Sequence, residues 1–517
     1  MSARSASAPR TYCVHAACLR GVEAVPVTVE VSLSGSIPGI TFVGMADSCV
    51  QEASTRIRCA IRSGGYDMPR GAIVVNLAPG DIRKQGTSFD LPVIVAILAI
   101  TGQMPRDGID DCLFTGELAL DGGVRPSRGA VAYALLAREL GLTYVNGPDE
   151  APIPLDGVRQ GCIDHVRDLV RGVPEAVRPL RAHAVGRPAA RKLDYSDVVG
   201  QEIAKRGLAI AATGSLGLIM VGSPGAGKTM LARRFTTILP PIDGDALQEA
   251  LCVHSVSGED VSGLLSGERP FRAPHHSISC AGLVGGGRPV HPGEISLAHG
   301  GVLFLDELAE FPGNVLQSLR QPIERGYVRL VRSEGSFTFP SRFQLLAASN
   351  PCPCGYLGDA EIECACPPGH VLRYRSKLGG PLADRIDIML DIARPDPALI
   401  VDGARGATSG ELASAVHAGR SFASWRASKL SDSAPKPDGK PTERPVDVEG
   451  AVAAFALDDA GKRSLLGVAR AAHLTGRGIT RVCRIARTIA DMAESEAVGA
   501  DHIMEAAMFQ GRRFDER

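Results

Sequence analysis

The stretch VPVTVEVSLS, residues 25–34, alternates apolar and polar positions, as a strand with one buried face does. AIVVNLAP, residues 72–79, is a short apolar run that reads as a buried strand. Between them, DSCVQEASTRIRCAIRSGGY spaces its apolar residues as a helix would. The mixture predicts an α/β domain over residues 1–175. Residues 171–192, RGVPEAVRPLRAHAVGRPAARK, hold six basic residues, one acidic residue and three prolines. This composition predicts a linker, placed at 176–192.

Strand and helix patterns then alternate over residues 193–400. LGLIMV, GGVLFL and FQLLAAS are apolar runs of strand length, and MLARRF begins a helical pattern. YVRLVRSEGSFTFPSRFQ, residues 327–344, reads as two alternating strands turning at Ser333-Glu-Gly335. Residues 401–517 carry helical spacing, as in LLGVARAAHL and RVCRIARTIADMAE, interrupted by a polar, Pro-rich loop near 428–445.

With 517 residues, the chain is long enough for roughly three domains at ~100–200 residues each. The net charge of −1 gives no global attraction to a polyanion, so any such contact must come from local basic patches. The apolar run Leu91 to Ile100 is far shorter than the ~20 residues of a membrane span. MSARSASAPR lacks the apolar core of a secretory signal, so a cytoplasmic protein is expected. In that compartment the 13 cysteines are not expected to form disulfides, and scattered ones such as Cys49 and Cys59 are expected to pack as small apolar residues.

Gly222-Ser223-Pro224-Gly225-Ala226-Gly227-Lys228-Thr229 fits GxxxxGK[ST], between a strand pattern and the helical pattern that opens at Met230. Its glycines let consecutive backbone N–H groups turn inward as an anion nest. Lys228 is placed to reach the β- and γ-phosphates of ATP, and Thr229 to ligand Mg²⁺. GGVLFLDEL ends an apolar strand in Asp306-Glu307. Asp306 suits the Mg²⁺ shell, and Glu307 suits deprotonation of the attacking water. Asn350 ends a third strand and can bond the water or the γ-phosphate. Arg385, in GGPLADRID, offers an always-charged fork for γ-phosphate or a salt bridge with Asp384 or Asp387.

Cys352-Pro-Cys354 and Cys364-Ala-Cys366 form two C-x-C knuckles, a donor set that suits tetrahedral zinc. His275 and His276 stand in APHHS with no other cluster of ligands near in sequence, so a metal role is not expected. Arg329 and Arg332 lie on the hairpin and are candidate DNA phosphate contacts, or simply solvated charge. Aromatics make up 4% of the chain, which disfavours extensive base stacking.

Together these segments, with FVGMADSCVQEASTRIRCAI, FTGELALDGGVRP, PFRAPHHSIS, PGEISLAHGGVLFLDELAEF and NPCPCGY, resemble the magnesium-chelatase-like AAA+ ATPases of the ComM/YifB type. The resemblance runs over nearly the whole chain. It implies a Lon-protease-like N-terminal domain, an AAA+ core with a parallel sheet and a C-terminal helical lid, assembled as a hexameric ring. It implies that Asn350 is a sensor and that Arg477, with Arg481 one turn later, is a candidate second sensor. It places APHHS in an insert facing the pore and lets the hairpin reach into the channel. The implied activity is a DNA helicase promoting branch migration in recombination or natural transformation. The alternative is a chelatase-type motor remodelling a protein partner. Proteolysis is disfavoured: Ser88 matches the Lon serine position without its motif, and Ser127, which cannot act as a base, stands where the Lon pattern expects lysine.

Overall fold

A computed structural model describes residues 11–510 except 35–36, 46, 85, 149–154, 181–192, 333–334, 360, 379–381, 383–384, 396, 403–405 and 432–454. In the N-terminal part, β1 (Thr11–Arg20), β2 (Glu23–Ser34), β3 (Gly39–Val43), β4 (Ala72–Ala78), β5 (Cys112–Phe114), β6 (Thr143–Asn146), β7 (Gln160–Cys162) and β8 (Arg178–Pro179) form one mixed sheet, ordered β8-β7-β6-β5-β1-β2-β4-β3. The alternation read in residues 25–34 appears as Val27, Val29 and Val31 pointing into the core. Helices α1 (Ser48–Ser63) and α2 (Asp90–Ile100) pack beneath the sheet. Every residue of α2 is buried, and apart from Asp90 all are apolar, as a helix surrounded by core requires. Its first residue, Asp90, is held by a bidentate Arg56 at 2.6 and 3.0 Å.

The sequence boundary at 176 needs correction. Ala176 is buried and β8 pairs with β7, so residues 176–179 close the sheet and are not linker. Residues 181–192, the rest of the expected linker, lie outside the described residues.

In the second unit, β9 (Leu218–Gly222), β10 (Phe271–Arg272), β11 (Val302–Leu305), β12 (Tyr327–Arg332), β13 (Gly335–Pro340), β14 (Gln344–Ser349) and β15 (Ile388–Ile392) divide into a sheet and a hairpin. The sheet is wholly parallel, in the order β10-β11-β14-β9-β15. Its central strands β11 and β14 are buried along their whole length, as a parallel sheet covered on both faces requires. β12 and β13 pair antiparallel, Tyr327 with Pro340 and Arg332 with Gly335.

Among the described residues after 405, the helices are Ser409–Ser431, Asp459–Ala471, Gly476–Met492 and Ala500–Met508. Residues 428–431, read as loop, continue the first of these, while the remainder of the polar stretch falls outside the described residues. Asp458 caps the second helix and Thr475 the third, each accepting an N–H three residues on. The lid packs on the core through Val482, Ile485, Ala486 and Ile489. Between the N-terminal sheet and the core lies a cleft of about 630 Å³, bordered by Leu135, Glu139, Cys252, Tyr327 and Arg342. Among the described residues no helix is long and apolar enough to cross a membrane.

Candidate functional site

The phosphate loop leaves the end of β9 and enters the helix Lys228–Arg234. Gly225 and Gly227 take φ of +81° and +90°, which turns the backbone inward where L side chains are strained. Lys228 Nζ donates to Gly222 O at 2.6 Å, Ser223 O at 3.0 Å and Asn350 Oδ1 at 3.1 Å. Burial pushes its pKa down, opposed by the charges of Asp306 and Glu307. Thr229 Oγ1 donates to Asp306 Oδ2 at 2.7 Å. The strand ends β9, β11 and β14 thus bring Lys228, Thr229, Asp306, Glu307 and Asn350 to one edge of the sheet. Ser223 and Ala226 are buried in the loop, Pro224 and Gly225 are exposed, and Met230 is exposed one residue past Thr229.

Glu307 sits in the left-handed region at φ 53°, its N–H donating to Asp306 Oδ1 at 3.0 Å. This turn separates the two carboxylates. Asp306 faces the threonine, and Glu307 faces solvent and His276, whose Nδ1 lies 3.1 Å from Glu307 Oε2. His275 packs against His276 with ring centroids 4.0 Å apart and planes tilted by 35°. The sequence by itself assigns His276 no part in the site. Its 31-residue separation from Glu307 hides the contact, and the pair in APHHS was the only available signal.

Arg385 forms an ion pair with Glu324, not with Asp387. Asp384 lies outside the described residues. Burial pushes the Arg385 pKa down, as do the nearby charges of Arg320 and Arg477. Asp387 instead binds Arg484 Nη1 at 2.6 Å and accepts the Gly217 N–H at 3.1 Å. Arg481 adds positive charge near Asp387, so the two second-sensor candidates face different neighbours.

The cysteines meet. The sulfurs of Cys352, Cys354, Cys364 and Cys366 all lie within 4.8 Å of one another. Three pairs are 3.3, 3.6 and 3.6 Å apart. A tetrahedron with Zn–S of about 2.3 Å needs sulfur separations of about 3.8 Å, so small outward shifts admit the ion. Disulfides, at about 2.05 Å, do not match this spacing. The Tyr356 N–H lowers the Cys354 thiol to about 6.

On the hairpin, Arg329 and Arg332 are exposed, and Arg329 Nε donates to Ser336 Oγ at 2.8 Å. A residue unread in the sequence joins them. Arg20, at the end of β1, reaches the turn so closely that a Cβ at Gly335 would lie 3.1 Å from its Nη2. Arg332 likewise lies over Gly286 of the insert, 3.4 Å from where a Cβ would stand.

Family models for the ChlI subunit of magnesium chelatase match residues 29–150 and 194–399, and one for its C-terminal region matches 406–510. The chain is 38% identical over 507 residues to the uncharacterized protein YifB of Escherichia coli, covering 96% of each. It is 38% identical over 503 residues to the competence protein ComM of Haemophilus influenzae, covering 95% of this chain and 96% of that one. The chain belongs to the ComM/YifB family of magnesium-chelatase-like AAA+ proteins. Likeness to chelatase subunits themselves is partial: 30% identity to the 67 kDa subunit of Heliobacterium mobile spans 32% of this chain and 29% of that one. The ComM/YifB relatives are matched over 95–96% of this chain.

Proposed function

We propose that this ComM/YifB-family chain is an ATP-hydrolysing ring motor, a hexamer, that acts on single-stranded or branched DNA. The observation that carries the reading is the convergence of Lys228, Thr229, Asp306, Glu307 and Asn350 on one sheet edge. Mg²⁺ and ATP, when bound, supply the electrophilic phosphorus and neutralise its oxygens. The loop Gly222–Thr229 holds the phosphates, Lys228 exchanging carbonyl partners for phosphate oxygens. Thr229 and Asp306 hold the Mg²⁺. Glu307 accepts the proton of the attacking water, and Asn350 orients it. Arg385 and Arg477 belong to the face that serves the neighbouring subunit's nucleotide. The four cysteines hold one structural zinc.

DNA as the partner is favoured by the exposed arginines Arg20, Arg329 and Arg332 at the hairpin, a charge set that suits tracking a phosphate backbone. The relative named as a competence protein agrees with a role in DNA uptake or recombination. Ser88 is buried, which disfavours peptide attack there. The deciding measurement is ATP turnover alone and with single-stranded, duplex, forked and four-way-junction DNA. Stimulation by branched or single-stranded DNA, lost in Arg329→Ala/Arg332→Ala, is expected. Turnover indifferent to every DNA would instead favour a motor that remodels a protein.

A further inference from the structure

The loop that carries the cysteines does more than follow the sensor. Cys352 is fully buried two residues after Asn350, whose side-chain Oδ1 accepts from Lys228 Nζ. Gly355, next to Cys354, has φ of +88° and packs so tightly on the phosphate loop that a Cβ would stand 2.6 Å from Pro224 Cδ. The same Cβ would lie 3.8 Å from Asn350 Cγ. Farther along, the Asp359 carboxylate is held below the usual range, chiefly by the nearby Ser223 side chain of the phosphate loop. It also accepts the N–H groups of Glu361 and Ile362 at 3.1 Å, and Arg394 lies at 3.4 Å. Arg394 also covers the Tyr356 ring at 5.5 Å. It follows β15, whose Ile392 carbonyl abuts Gly222, the first residue of the phosphate loop. The stretch from Cys352 to Asp359 is therefore seated against Ser223, Pro224 and Asn350 at once.

We propose that the four-cysteine site and the phosphate loop form one linked binding unit. A thiophilic divalent cation held by Cys352, Cys354, Cys364 and Cys366 tightens nucleotide binding at Gly222–Thr229, and nucleotide tightens the cation. The inference rests on the zinc and ATP readings above. Four ligands on one cation fix the turn that presents Gly355 to Pro224 and Asp359 to Ser223. The phosphate loop is then held in shape before nucleotide arrives, so less ordering must be done on binding. Without the cation, that ordering falls on the nucleotide and weakens it. Reciprocity follows from linkage: whatever factor the cation adds to nucleotide affinity, nucleotide adds to cation affinity.

The full-length chain tests this directly. Affinity for a fluorescent, non-hydrolysable ATP analogue is measured across buffered free Zn²⁺, from chelated to saturating. In parallel, Zn²⁺ release to a coloured chelator is followed with and without the analogue. The expected result is about a 10-fold gain in analogue affinity with zinc, within the usual range of coupling, and an equal gain in zinc affinity with analogue. Asp359→Ala, which removes the tie to Ser223 without touching a cysteine, should keep its zinc and lose most of the mutual dependence. Thermal melting of each form confirms that folded chains are compared. Equal analogue affinity at zero and saturating zinc, in a chain shown to bind zinc, overturns the coupling. So does full mutual dependence in Asp359→Ala. A chain that takes up no zinc overturns the proposal through its metal premise, and one that binds no analogue at any zinc level overturns it through its nucleotide premise.

Discussion

His276 Nδ1 lies 3.1 Å from Glu307 Oε2, so the insert between the core strands touches the carboxylate proposed as the general base. A bond there occupies one of the two oxygens that must meet water. His276→Ala should therefore raise basal ATP turnover by about 2- to 12-fold with little change in KM, the worth of a hydrogen bond weakened by its half-exposed carboxylate acceptor. Steady-state kinetics decide it. A fall in kcat would mean that the histidine orients the base instead of restraining it.

Lys228→Ala and Glu307→Gln should separate binding from chemistry. Lys228 makes three hydrogen bonds inside the site, all available for exchange with phosphate. Losing one charge-assisted contact should weaken ATP binding by about 10- to 150-fold. Glu307→Gln should bind ATP normally and fail to turn it over. Wild-type turnover in Glu307→Gln would remove Glu307 from the chemistry.

His299 predicts acid sensitivity of the core. It is fully buried, and its Nδ1 accepts the Arg342 N–H at 3.0 Å while Nε2 faces Glu249. Burial lowers its pKa to about 4. Between that value and the ordinary value near 6.5 the unfolded chain binds more protons than the folded one, so stability falls as pH falls through this window. Melting temperatures from pH 7 to pH 4.5 should decline in the wild type and decline less in His299→Gln. Parallel slopes in the two proteins would assign the loss to other groups.

What the sequence made legible is local. The phosphate loop, its strand and its helix lie within eighteen residues, and the turn-forming glycines are fixed by the same local geometry that binds phosphate. The central strands were readable because a parallel sheet covered on both faces needs unbroken apolar runs. Contacts between distant segments were not. Nothing near Arg385 in the sequence points to Glu324, and nothing in APHHS points to Glu307, because both pairings depend on how separate loops meet at the sheet edge. The true end of the first domain was hidden as well: proline and arginine at 178–179 suggest a linker, yet a sheet edge accepts proline.

Arg385 is ion-paired with Glu324 of its own chain, while Arg320 and Arg477 crowd the same place. A guanidinium pressed by two like charges and ion-paired with a half-exposed carboxylate can exchange that carboxylate for another anion. If that anion is the neighbouring subunit's γ-phosphate, hydrolysis needs a ring, one chain giving Lys228, Asp306 and Glu307 and the next giving Arg385. Arg385→Ala should then cut turnover by about 10³–10⁵, the usual worth of an arginine finger. Glu324→Gln should leave turnover intact or raise it, because it frees the arginine. A purely structural ion pair gives the opposite signature: both variants lose thermal stability alike, and turnover follows folding. Mixing separates the two without relying on either variant alone. Arg385→Ala and Lys228→Ala chains are each nearly inactive, but a mixed ring contains interfaces with an intact phosphate loop facing an intact Arg385. Partial return of ATPase on mixing is expected. Co-assembled mixed rings that stay inactive would place Arg385 outside the shared site.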